Sequence, residues 1–284
     1  MNGAQSTQVD QRRWLVAPAL VWWGLFVGAP LVIIGAISVA SRGTYGGVEW
    51  PLTLSAYQSL ADPLYLRIYL RSLMLATATT ALCLLLGFPL ARYMAGLPPR
   101  RQMVWLLLVM IPLWTNFLVR TYAWMFVLRA DGLLNTVLIA LDVIQAPLEI
   151  LYTDWAVLIG LVYAHLPFMV LPLYASLERL DRSLIEAAQD LYASGWTRLT
   201  RIIVPLTKPG IVAGCVLVFI PSLGAYLTPD LLGGARTMMV GSLIQHEYLV
   251  VRDWPMGSAV SLVLLVLVTI GAWWLPRTGW MRTS

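Results

Sequence analysis

Few groups in this chain could do chemistry, and they are scattered. Lys208 is the only lysine, and Pro209 follows it. A loop that cradles nucleotide phosphates needs Ser or Thr directly after its lysine, so ATP hydrolysis of that type is excluded. His165 and His246 have no metal-ligand spacing. Cys83 and Cys215 are isolated thiols within apolar runs, where they read as small packing residues rather than a disulfide or metal pair. No catalytic, cofactor or metal site is expected. His165 stands two residues before Pro167, and the preferred reading is a neutral imidazole bonded to a carbonyl that the proline frees.

The elements that would position these groups are apolar. The chain of 284 residues is 59% hydrophobic and 12% charged, with a mean hydropathy of +0.75; soluble domains carry roughly 25% charged residues. An all-α integral membrane protein is expected, a single transmembrane domain over residues 1–284. Six spans follow from the uncharged runs: about 14–41, 72–92, 102–128, 155–177, 209–229 and 254–276, at roughly 20 residues per crossing. The first run is about twice as long as a signal-peptide core, so it reads as a retained helix. Between spans three and four, residues 133–141 repeat apolar positions at helical spacing, broken by Asn135 and ended by Pro147. They read as an amphipathic helix lying on the outer face.

Charge placement sets the expected orientation. With the N-terminus inside, 12 of the 19 Lys and Arg residues and 5 of the 14 acids fall on the inner side. The inner net charge is then +7 and the outer −2, which fits the positive-inside rule with both termini cytoplasmic. The basic balance thus reports topology and contact with anionic lipid heads, not nucleic acid. No acid sits at the centre of a span, which counts against a proton- or sodium-coupled secondary transporter or channel. No convergent nucleophile, base or ligand set supports a membrane enzyme.

The loop 178–208 is polar and lies between two apolar segments. Ser183 precedes Glu186 by three residues, the capping-box spacing. Leu184, Ala187, Ala188 and Leu191 then give one apolar face. Glu186-Ala187-Ala188, followed by Ile202-Ile203-Val204-Pro205, resembles the cytoplasmic EAA loop of ABC importer permeases. Arg71-Ser72-Leu73, Ile111-Pro112-Leu113-Trp114-Thr115-Asn116, Leu166-Pro167-Phe168-Met169-Val170-Leu171-Pro172, Asp230-Leu231-Leu232-Gly233-Gly234 and Arg252-Asp253-Trp254-Pro255 resemble the spermidine/putrescine branch of that family.

The resemblance implies the type I permease fold and a non-catalytic subunit of the bacterial inner membrane that forms half of a solute passage. It implies four kinds of partner: a second permease, an ATPase subunit dimer that hydrolyses ATP, a periplasmic solute-binding protein and membrane lipids. Polyamines are the implied solute, with another amino-bearing compound as the alternative. Leu184, Glu186, Ala187, Ala188, Asp190, Leu191 and Gly195 would couple to the ATPase. For a flexible polycation, Trp114, Asn116, Tyr226 and Asp230 are the candidate passage residues, because ammonium groups favour carboxylates and aromatic faces. One departure stands out. Tyr192 occupies the position where the family pattern has Gly, and Gly195 is expected to take over part of that turn.

Overall fold

The computed structural model describes residues 18–44 and 46–274. Residues 14–17 of the first expected span and 275–276 of the last lie outside them. Two compact units are present, Met1–Asp62 with Ile244–Val266 and Pro63–Leu243 with Leu267–Ser284.

The first unit contains α1 (Pro18–Ser38), which is apolar throughout and buries none of its most hydrophobic window. Trp22, Trp23, Phe26 and Val32 are all exposed, as expected of a helix solvated by lipid or by another subunit. A short hairpin follows, β1 (Ala40–Arg42) and β2 (Val48–Leu52), antiparallel with Arg42 opposite Val48 and a bulge between Ala40 and Ser41. Among the described residues this hairpin is the one addition to an all-α architecture. Gly46 and Gly47, both at positive φ, make its turn. The hairpin is tied down by Arg42, whose Nη2 donates to the Val251 carbonyl, and by the Gly47 amide, which donates to the Arg252 carbonyl. After α2 (Ser55–Leu60) the chain leaves this unit.

The second unit is built on α3 (Pro63–Ala95), α4 (Pro99–Trp114), α5 (Phe117–Leu128), α6 (Leu133–Ala140), α7 (Asp154–Glu178), α8 (Arg182–Asp190), α9 (Gly195–Leu206) and α10 (Lys208–Leu223). The helix α11 (Val240–His246) starts in this unit and runs on through Val251 in the first, and α12 (Trp254–Trp274) belongs to the first unit as far as Val266. Among the described residues, five helical stretches are long and apolar enough to cross a membrane, with α5 and α6 counted together as Phe117–Ala140, or six when the bent pair α9 and α10 counts as one.

At 1.5 Å per residue α3 is about 50 Å long, well beyond a hydrocarbon core of about 30 Å. It starts nine residues before the expected 72–92 segment and carries Arg67 and Arg71 in its extra turns. The expected 102–128 segment is two helices with a break at Thr115-Asn116. Pro112 lacks an amide to donate, and Thr115 takes an extended conformation. The next helix restarts where the Asn116 side chain accepts from the Leu118 amide. The 209–229 segment is helical to Leu223, breaks at 224–226 and turns helical again from Leu227.

Helices α3, α7 and α10 pack on one another through small residues. A Cβ at Gly87 would lie 3.2 Å from Met169 and one at Gly214 2.7 Å from the Met169 sulfur; one at Gly210 would collide with Ser176 and the Pro172 carbonyl. Two apolar clusters result. One holds Leu75, Leu128, Val157, Leu161, Leu232 and Met239. The other, toward the 179–207 end, holds Met94, Met169, Leu173, Leu177, Ile203 and Val218.

Candidate functional site

The 179–207 segment starts with a different cap from the expected one. Asp181, not Ser183, is the N-cap of α8, and its carboxylate accepts from the Ser183 amide at 2.9 Å. Asp181 is the first residue outside the helix with an acceptor that reaches back over the first turn. That hydrogen bond from the Ser183 amide, with a second from its side chain, holds the Asp181 carboxyl below the usual carboxylate range. The reciprocal capping box with Glu186 is therefore absent, and Glu186 is exposed.

The apolar face also needs correction. Ala188 is buried at 7% exposure and Ile185 packs against the cluster around Met169 and Ile203. These two residues, three apart, seat α8 on the protein body. Leu184, Ala187 and Leu191 point away from it, Leu191 at 82% exposure, with the exposed acids Glu186 and Asp190 along one border. Leu199, Ile203 and Val204 fix the following helix to the same cluster.

Tyr192 takes the left-handed conformation itself, at φ 55°. The Ala193 amide donates to the Ala188 carbonyl and the Tyr192 amide to that of Gln189. This is the paired closure that usually has Gly at the left-handed position. A side chain there costs about 1 kcal/mol or more. Gly195 takes no part in the turn. It is the first residue of α9, with Ser194 as N-cap accepting from the Thr197 amide. Tyr192 is 96% exposed and Trp196 73%. Neither aromatic was singled out as a contact from the sequence, although a bulky residue at a glycine position is a readable signal.

The expected passage residues fall into two places. Tyr226 and Asp230 lie one helical turn apart, the Asp230 amide donating to the Tyr226 carbonyl, and both are exposed. The Pro229–Gly233 turn packs against α5 and α7. Trp114, 71% exposed, and Asn116 flank the break between α4 and α5. Asn116 is engaged as a cap.

Arg120 stands beside that break and was not expected to contribute. Its Nη1 donates to the Pro112 carbonyl at 2.7 Å, and its guanidinium lies 5.3 Å from the Phe117 ring centre and 6.0 Å from that of Tyr163. His165 bonds through Nδ1 to the Leu161 carbonyl at 2.8 Å. That carbonyl is one turn before His165, not the one four residues before Pro167, so the acceptor differs from the expected one.

Arg71 and Ser72 hold the end of the unit away from 179–207. Arg71 bonds Asp154 at 2.7 and 2.9 Å and donates to the Arg236 carbonyl, while the Ser72 hydroxyl accepts from the Val240 amide. A cleft of about 980 Å³ opens here, lined among others by Tyr122, Phe126, Asp131, Glu149, Tyr152 and Arg236. Asn135 is buried rather than a polar interruption on a surface. Its amide donates to the carbonyls of Arg129, Ala130 and Leu148, and its oxygen accepts from the Leu148 amide.

Residues 84–277 match the family described as the binding-protein-dependent transport system inner membrane component. The chain belongs to this family. Over 255 residues this permease is 44% identical to the spermidine/putrescine transport system permease protein PotB of Haemophilus influenzae, covering 90% of the permease and 89% of the relative. Against PotB of Escherichia coli K12 the identity is 43%, with 89% and 92% covered. In three dimensions the permease is similar to a chain of a bacterial ABC transporter involved in the import of alginate, with a TM-score of 0.68 at 17% identity, covering 98% of this chain and all of the other. The architecture is the type I importer permease fold, in a multi-pass membrane subunit of a transport system.

In the permease's other unit, Glu247 is a buried carboxyl that the sequence did not single out. Burial raises its pKa, as does Asp253 nearby, while His246 and Arg42 oppose the rise. A carboxyl whose folded pKa exceeds its unfolded one adds stability below the unfolded pKa and loses it as pH rises through the folded value. Glu247→Gln, which stays neutral, should therefore be more thermostable than the wild type at pH 7. That advantage should shrink as pH falls toward the ordinary carboxylate range. Thermal unfolding in detergent across pH checks this, and a pH-independent offset would refute it.

Proposed function

We propose that this permease forms half of the solute passage of an ATP-driven polyamine importer, beside a second, similar permease. A periplasmic binding protein delivers spermidine or putrescine, and an ATPase dimer docks on the 179–207 segment from the cytoplasm. Both termini then lie in the cytoplasm, as the charge asymmetry favours. The observation that carries the polyamine reading is the 43–44% identity to spermidine/putrescine permeases over about nine tenths of the chain. The exposed face of Leu184, Ala187 and Leu191, on a helix seated on the protein body by Ile185 and Ala188, supports the docking.

In the importing cycle the chain's own residues do two jobs. The seated α8 and α9 carry motion from the ATPase into α10. The exposed Asp230 carboxylate, one turn from Tyr226, offers an ammonium group an opposite charge and an aromatic face. The test is uptake of radiolabelled spermidine by the reconstituted four-component complex. Asp230→Asn should lower uptake of this polycation while assembly and basal ATP hydrolysis persist. Unchanged uptake at all concentrations would remove Asp230 from the passage. ATP hydrolysis stimulated only by an anion-loaded binding protein would overturn the polyamine assignment.

A further inference from the structure

Tyr192 combines two costs without a visible return inside this chain. Its backbone holds the left-handed conformation that side chains resist, and its ring is 96% exposed. Glycine at this position would close the same two hydrogen bonds without strain. The phenol must therefore be useful outside the subunit or be a burden. Its neighbours favour use. Leu191 at 82%, Trp196 at 73% and Leu184 at 45% exposure extend the apolar surface of Ala187 around the turn between α8 and α9.

The identity of the occupant follows from the border of the patch. Glu186 and Asp190 lie exposed along the edge of α8 that faces away from the protein body. Two carboxylates there oppose settling on an anionic lipid surface. They suit a protein groove with basic groups at its rim. The backbone on both sides is fixed, by the paired closure at Tyr192 and by the Ser194 cap, so the aromatic rings are presented with little freedom left to lose.

We propose that Tyr192, assisted by Trp196, is an aromatic anchor that inserts into the ATPase subunit and extends the α8 contact beyond the Leu184, Ala187 and Leu191 face. The proposal rests on the reading that an ATPase docks at this segment. Tyr and Trp are the residues most often found to dominate protein interfaces. The conformational strain at Tyr192 is then a cost retained for the contact, and replacing the residue separates the two effects in opposite directions.

The experiment titrates labelled ATPase subunit against the two-permease complex in nanodiscs and records thermal unfolding in parallel. Tyr192→Gly should keep or raise the unfolding midpoint while weakening ATPase binding by roughly tenfold or more. Tyr192→Phe should stay within about threefold of wild type, because the ring and not the hydroxyl makes the contact. Trp196→Ala should weaken binding without lowering the midpoint. If Tyr192→Gly binds the ATPase like wild type while Ala187→Asp does not, the anchor is refuted and the docking face stands. If Ala187→Asp also binds normally, the docking reading fails with it. A Tyr192→Gly variant with unchanged ATPase affinity but weaker association of the 179–207 segment with ATPase-free vesicles would assign the ring to the lipid interface instead.

Discussion

Ala187→Asp should leave the permease in the membrane, with normal thermal stability, yet abolish its association with the ATPase. Ala187 is exposed in the free subunit, so the charge has water around it until docking occurs. Docking would strip that water and leave a carboxylate unpaired against an apolar contact. A buried charge without its partner costs about 3–5 kcal/mol, enough to lower affinity by a factor of roughly a hundred to a few thousand. Co-purification with the ATPase and solute uptake check this, and intact assembly would remove the docking assignment. Glu186→Gln then reports something simpler than the sequence implied. Because Asp181 caps α8, Glu186 has no capping duty, and its substitution isolates the contribution of charge at the edge of the contact.

Asn135→Leu should loosen the whole 129–148 segment while the spans persist. The side chain is nearly the size of Leu, so the substitution changes bonding more than volume. Four hydrogen bonds disappear, and the Leu148 amide loses its acceptor. Backbone groups left unpaired cost roughly 1–3 kcal/mol each when water cannot reach them. Arg129, Ala130 and Leu148 are exposed residues, so water restores part of the loss and about 2–3 kcal/mol remains. Hydrogen exchange should show faster amide exchange from Arg129 to Glu149 with little change in α3 and α7. Undisturbed exchange in the segment would contradict the role assigned to Asn135. Since Arg129, Asp131 and Glu149 line the cleft, its rim should lose definition as well.

The long apolar runs made most of the helices legible, because a bilayer leaves the backbone almost no other choice. The periodicity of Leu184, Ala187, Ala188 and Leu191 likewise located α8. Periodicity reports that a face is apolar but not what covers it, so the inward turn of Ala188 and Ile185 could not be read. Sequence alone does not choose the cap, because Asp181 and Ser183 are both competent acceptors and the choice depends on where Arg179 and Leu180 leave α7. The first turns of α3 are not legible as a span because Arg67 and Arg71 look too polar for one. Arg71 has its partners in Asp154 and Arg236, residues distant in sequence. The break at Asn116 was hidden by continuous hydropathy on both sides of it. Tyr192 is legible only as a departure from pattern, since φ is not written in residue type.

The junction of α9 and α10 decides what a push on the loop would achieve. The two helices meet at 70° around Thr207. That residue is fully buried, and its hydroxyl is bonded to the Ile203 carbonyl at 2.7 Å. Pro205 and Pro209 restrict the backbone on either side. Such a joint resists folding up, so it behaves as a fixed elbow rather than a spring. Resolved on the axis of α10, a displacement along α9 has only roughly one third of its length parallel to that helix, and most of it runs crosswise. A thrust entering through α9 therefore tips α10 like the short arm of a crank. Gly210 and Gly214 lie just beyond the elbow, pressed against α7, so the tilt is handed to α7 within the first turns of α10 instead of dissipating along its length.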